Sequence, residues 1–164
     1  MKRKVSAGIL LYRVRDDTVQ VFLVHPGGPY WARKDEGAWS IPKGEVAPGA
    51  DLLATAFAEF AEETGYRLIG QPAPLRPLKQ AGGKLVHAWM LQGDVDAAAI
   101  RSNSFDLVWP PGSGKTRQFP EVDRAAWFDL AAARQKLLEG QRGFLDELEA
   151  RLARSAALPG RERG

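Results

Sequence analysis

At Asp51 the chain changes its period. Before it, "KVSAGILLYRV" and "VQVFLVH" are apolar and rich in β-branched residues, with the turn residues "RDD" between them, and they read as a strand pair. After it, Leu53, Phe57 and Phe60 recur at helical spacing. Asp51 is placed to cap that helix, and Gly65 to stop it in a left-handed conformation. Beyond Gly65 come "YRLIG", "PLRPLKQ", "KLVHAWMLQGDV", "FDLVWP" and "AAWFDL", strand-like and separated by Gly/Pro turns. Two amphipathic stretches, "DLAAARQKLLEG" and "QRGFLDELEARLARS", close the chain as helices. One bounded helix among strands, with helices last, points to an α/β sandwich with a mixed sheet.

The 164 residues suit one domain. Net charge locates the domain's end. The whole chain carries +3, and residues 151–164, with four arginines and one glutamate, account for all of it. The expected division is therefore a domain over 1–150 and a basic helix end and flexible tail over 151–164. A neutral body argues against a nucleic-acid face. No apolar run reaches the ~18 residues of a membrane span. The apolar part of "MKRKVSAGILLY" runs into "RVRDD" without a cleavage-site pattern, so a strand and a cytoplasmic protein are expected there. With no cysteine, disulfides, thiolate catalysis and Cys-ligated zinc are excluded. The sequence carries no signature of a particular oligomeric state.

The helix holds the chemistry. In "FAEFAEETGY", Glu59, Glu62 and Glu63 fall at about 0°, −60° and +40° on the helix, whereas Leu53, Phe57 and Phe60 fall at about +100° to +160°. The like charges repel by roughly 0.2–0.5 kcal/mol per pair on an exposed helix. They also occupy the C-terminal end, where the helix dipole disfavours anions, and the helix supplies no lysine or arginine beside them. A solvated acidic face would have no reason to choose that end. Oxygen ligands without a counter-charge suit a hard divalent cation, Mg²⁺ or alternatively Mn²⁺. Such an ion binds phosphate oxygens and activates water.

From Gly44 to Tyr66 the sequence resembles the Nudix box, a glycine, five residues, a glutamate, seven residues, then R-E-hydrophobic-x-E-E-x-G-hydrophobic. Gly44, Glu59, Phe60, Glu62, Glu63, Gly65 and Tyr66 match in register. Ala50 and Ala58 stand where the box has its first glutamate and its arginine. In the family this pair resembles a supporting salt bridge, and losing both partners together is compatible with a site supported in another way. The resemblance implies the Nudix α/β/α sandwich and a Mg²⁺-dependent hydrolase of a nucleoside diphosphate linked to another group. It also implies a metal held by Glu59, Glu62 and Glu63 with help from a main-chain carbonyl of the Lys43–Gly44 turn.

The approach to the box, "AWSIPKGE", is similar to the branch that cleaves dinucleoside polyphosphates, and also to nucleotide-sanitising hydrolases. Lys43 is either a phosphate-binding point charge or a surface turn lysine. Trp39 is expected half in the core and half in a pocket wall. His25, Tyr30 and Trp31, in and after "VHPGGPYW", are candidates to stack a base or hold a phosphate, with a structural role open for His25. In "FPEVDRAAWF" an acid just before the last strand would supply a ligand or base in many members of the family. Glu121 is the first candidate, Asp123 the second, and a solvated loop acid the alternative. "GSGKT" imitates a phosphate loop, but Trp109 occupies its first glycine position and Pro120 follows too soon for a helix. It reads as a flexible loop from which Lys115 or Arg117 reaches a polyphosphate.

The best expectation is a small-molecule nucleotide substrate, a dinucleoside polyphosphate. The enzymatic rivals are a nucleoside triphosphate pyrophosphatase of the 8-oxo-dGTP type and an ADP-ribose or diphosphoinositol hydrolase. A non-catalytic nucleotide-binding module with a degenerate box is the rival of another class. It sits poorly with the presence of all three box glutamates.

Overall fold

Ser6–Tyr12, seven consecutive residues of the first strand, are buried. Their side chains alternate between two cores. Ala7, Ile9 and Leu11 enter one, and Leu10 and Tyr12 the other. The second strand divides likewise, with Phe22 and Val24 in the first core and Val21 and Leu23 in the second. A sheet covered on both faces needs a layer on each side. The structure, a computed structural model, describes residues 4–157, so the segment 158–164 of the expected tail lies outside the described residues.

The strands are β1 (Val5–Arg15), β2 (Thr18–Pro26), β3 (Lys43–Glu45), β4 (Ala73–Pro74), β5 (Leu78–Lys79), β6 (Leu85–Gln92), β7 (Ser104–Val108), β8 (Thr116–Pro120) and β9 (Val122–Asp129). The helices are α1 (Leu52–Thr64), α2 (Leu130–Lys136) and α3 (Arg142–Ala157). The main sheet runs β4-β6-β1-β2-β9, with β3 paired to β1 and β5 to β6. β1 and β6 are parallel from Val5↔Leu85 to Tyr12↔Gln92, and the other pairs are antiparallel. The sheet is therefore mixed. Ala56 and Phe60 of α1 pack on one face, and Ala133 of α2 with Phe144, Leu145 and Leu148 of α3 on the other. This is the expected α/β/α sandwich.

The bounds of α1 follow from its sequence. Asp51 caps it, its Oδ2 accepting from the Ala54 N–H at 2.8 Å. Gly65 ends it at φ 83°, donating its N–H to the Ala61 carbonyl at 2.8 Å. Between them the alanines and leucines favour the helix.

Four expectations change. "YRLIG" forms no strand, and Ile69 is 90% exposed. "PLRPLKQ" yields only the end of the two-residue β4 and the two-residue β5, because Pro74 and Pro77 remove ladder donors. "GSGKT" is not a free loop, since its residues turn β7 into β8, which pair from Val108↔Thr116 to Ser104↔Pro120. The boundary at residue 150 falls inside α3, where Arg151 donates to the Pro74 carbonyl at 2.6 Å and Leu152 packs on the second core. Among the described residues no helix is long and apolar enough to cross a membrane.

Candidate active site

β3 brings a lysine and a glycine beside α1. It pairs with β1 at Gly8↔Lys43 and Ala7↔Gly44, so Lys43 and Gly44 lie in a short strand where the sequence suggested a turn. Gly44 lets the helix approach, because a β-carbon there would overlap the carboxylate of Glu59. Along α1 the buried stripe is Ala56, Phe60 and Thr64. Glu63 lies about 20° from Ala56 around the helix, while Glu62 lies about 120° away. The half-buried Glu63 and the exposed Glu62 follow from that difference.

The electrostatics report the same crowding. Burial pushes Glu63 up to about 8, opposed by Lys43 and reinforced by the charges of Glu59 and Glu121. Glu59 is also raised, first by burial, then by Glu62 and Glu121. Lys43 is lowered, chiefly by burial and next by Lys84, against the pull of Glu63, Glu59 and Glu45. The helix carries no cation of its own at this face, but β3 supplies one from across the gap.

Glu121 comes from the far side of the sheet. The β2–β9 register runs His25↔Arg124 and then jumps to Pro26↔Val122, a bulge that leaves Asp123 extra. The backbone there is fixed. Gly27 donates its N–H to the Glu121 carbonyl at 2.9 Å, and Glu121 donates its own to the Asn103 carbonyl at 2.8 Å. The two acids part at the bulge: Asp123 bonds His25, while Glu121 faces a cleft.

That cleft, of about 390 Å³, is lined on its polar side by Ser40, Lys43, Glu63, Gln80, Lys84 and Glu121. Its apolar wall includes Val24, Ile41, Val122, Leu138 and Trp31. Of the expected residues, Lys43, Glu63, Glu121 and Trp31 therefore meet in one cavity. Glu59 and Glu62 stand on the same helix outside its lining. Tyr30 is exposed, edge-on to Trp109 with centroids 5.4 Å apart. Lys115 lies in the β7–β8 turn and Arg117 on β8, its guanidinium over Phe119 at 5.5 Å, and neither lines the cleft.

Two candidates are corrected. His25 is fully buried, its Nε2 2.6 Å from the Lys34 carbonyl and its Nδ1 2.9 Å from Asp123 Oδ1, so no ring nitrogen is left for a substrate. Trp39 is 4% exposed, packs edge-on against His25 and Phe128, and donates its N–H to Asp35 Oδ1 at 2.8 Å. It is core, not pocket wall. Conversely, Ser40, Gln80 and Lys84 line the cleft without having been singled out. The signal for the last two was "QAGGK", a double-glycine turn feeding a strand.

The donor set fits a hard divalent cation. Its members are carboxylate oxygens, crowded enough to raise one another's proton affinity, with Lys43 as a cation near them. Among the described residues no three His, Asp or Glu side chains are gathered closely enough to hold a metal ion as they stand.

Comparison with known proteins identifies the lineage. The NUDIX domain model matches residues 2–148. An Ap4A hydrolase from C. elegans, solved as a binary complex, superposes with a TM-score of 0.64 at 22% identity, covering 92% of this chain and 98% of that one. The NUDIX domain of Shewanella oneidensis NrtR, complexed with ADP ribose, gives 0.64 at 16% identity, with coverage of 93% and 90%. A mutT/nudix family protein from Listeria innocua gives 0.64 at 15%, with coverage of 95% and 98%. These likenesses are to the fold, while the domain match extends over nearly the whole sequence, box included: the chain belongs to the NUDIX family of hydrolases, which act on pyrophosphate bonds.

Proposed function

We propose that the protein is a divalent-metal-dependent hydrolase that cleaves a phosphoric anhydride bond in a nucleoside diphosphate linked to another group, a dinucleoside polyphosphate being the favoured substrate. One juxtaposition carries this: Glu63 and Glu121 share a cleft with Lys43, Lys84 and the ring of Trp31. Anion-holding, cation-holding and stacking groups thus line a single cavity of ligand size.

Glu59, Glu62 and Glu63 would hold Mg²⁺ or Mn²⁺, with a main-chain carbonyl of Lys43–Gly44. Bound there, the ion supplies Lewis-acid polarisation of phosphate oxygens and a more acidic water. The chain's own groups do the rest. The Lys43 ammonium, beside the acids, offsets charge that spreads over the phosphoryl oxygens in the transition state. Lys84 holds an adjoining phosphate. Glu121, fixed at its backbone on both sides, takes the proton from the attacking water. A base stacked on Trp31 gains roughly 1–3 kcal/mol.

Beyond the cleft, Tyr30 and Trp109 offer a second aromatic surface, and Arg33, Lys34, Lys115 and Arg117 offer cations for a longer phosphate chain. A one-base ligand such as ADP-ribose or 8-oxo-dGTP is the second reading, favoured by Trp31 being the one aromatic side chain in the cleft lining. Steady-state kinetics with products identified separates them. A kcat/KM for diadenosine tetraphosphate above that for ADP-ribose and 8-oxo-dGTP supports the first. A tenfold advantage for either one-base substrate over every dinucleoside polyphosphate tested selects the second.

A further inference from the structure

Gln80 borders the cleft, and the orientation of its amide is fixed by a relay that starts at the main chain. The Ile41 N–H donates to Gln141 Oε1 at 3.0 Å. A backbone N–H can only donate, so that atom of Gln141 must be its oxygen. Gln141 is fully buried, and its Nε2 then donates to Ser40 Oγ at 3.0 Å and to Gln80 Oε1 at 3.1 Å. Ser40 agrees, since its hydroxyl hydrogen is used on the Ile41 carbonyl at 2.6 Å. Gln80 must therefore turn its oxygen toward Gln141. Its NH₂ is left with no partner among the described residues.

The stem of Gln80 is equally constrained. Its N–H donates to the Lys84 carbonyl at 2.7 Å, and its carbonyl accepts from the Gly83 N–H at 3.0 Å. Gly140 packs against it so closely that a β-carbon there would lie 2.9 Å from Gln80 Cγ and 3.0 Å from its Cα. The result is a neutral donor, held rigidly in a cleft that Lys43 and Lys84 also line. The lysines already supply charge for phosphate. A fixed, uncharged amide adds a different capacity, the reading of one hydrogen-bond acceptor on a planar group, while Trp31 supplies the stacking surface.

We propose that Gln80 is a specificity-determining residue, donating through Nε2 to an acceptor on the nucleobase edge, and that Gln141 is the positioning residue that fixes its polarity. The proposal rests on the nucleotide-hydrolase function given above. It requires discrimination between ligands that carry a base and ligands that carry phosphate alone.

The test uses Gln80→Met, which removes the donor at similar volume and no change of charge, and Gln141→Glu, which replaces the Nε2 donor with an oxygen and so releases Gln80 to rotate. Folding is checked by circular dichroism and melting. Each variant is expected to raise KM for the best nucleotide substrate tenfold or more with kcat within about threefold of wild type. In Gln80→Met, which alters no charge, competitive inhibition by inorganic tripolyphosphate should stay unchanged. Adding Gln141→Glu to Gln80→Met should have little further effect. Equal weakening of nucleotide and tripolyphosphate would assign Gln80 to phosphate and overturn the proposal. Unchanged nucleotide KM in Gln80→Met, with the wild type active, would overturn it alone. A wild-type protein that neither binds nor cleaves any nucleotide would overturn the functional assignment together with it.

Discussion

The carboxylate of Glu59 rests on the backbone of Gly44, so closely that no β-carbon fits between them. The group that would have to move is the far end of a flexible side chain, not a main-chain atom.

Gly44→Ala should therefore leave stability almost unchanged while displacing Glu59. Activity is expected to fall at least a hundredfold, about 2.7 kcal/mol of transition-state stabilisation. A urea titration alongside kinetics checks this. A large loss of stability, or wild-type turnover, would show that Glu59 is not placed by this contact.

The metal-free protein should lose stability as pH rises between 4.5 and about 8. Burial lifts Glu63 from 4.5 to about 8 on folding. Below 4.5 both folded and unfolded chains hold the proton, and above about 8 neither does. Between them the folded chain binds more protons, so raising the pH favours unfolding. Melting in EDTA should show this slope, and Glu63→Gln should flatten it. Added Mg²⁺ should stabilise the wild type more at pH 8 than at pH 5.

Ala50 and Ala58, at the box positions of the supporting pair, are both exposed. A charge restored alone at either solvated position would not be stranded. Ala50→Glu and Ala58→Arg should each be nearly neutral, with a coupling of about 0.5 kcal/mol or less. A double-mutant cycle by chemical denaturation measures it. Strong coupling would mean that the two sites form a desolvated pair.

His25 should behave as a structural residue. His25→Ala would open a cavity, leave the Lys34 carbonyl unpaired and leave Asp123 with Arg124 alone, at 3.6 Å. The expected loss is about 2–4 kcal/mol of stability. For the folded fraction, kcat/KM should stay within about threefold of wild type. Denaturation curves and active-site-normalised rates separate the two effects.

Local signals survived into the structure where chemistry is local. Asp51 and Gly65 bound α1 as a cap and a left-handed stop should, and the apolar runs of β1 and β2 became central strands. The angular order of the three glutamates set their order of burial. What could not be read depends on distant segments. Lys43 meets the acids only because β3 pairs with β1, and Glu121 parts from Asp123 only because β9 bulges against β2. His25 and Trp39 sit in segments that look like a pocket mouth, yet their polar atoms are used internally. Gln80 and Lys84 were hidden because the prolines before them dissolve the strand that "PLRPLKQ" resembles.

The central claim is that the α1 carboxylates hold a divalent cation on which hydrolysis depends. The most direct measurement is the rate of diadenosine tetraphosphate hydrolysis by wild type and Glu63→Gln, each in Mg²⁺ and in EDTA, with far-ultraviolet circular dichroism of both. The account predicts at least a hundredfold slower turnover by Glu63→Gln in Mg²⁺, none by the wild type in EDTA, and identical spectra. Wild-type rates in Glu63→Gln, or undiminished turnover in EDTA, would contradict it.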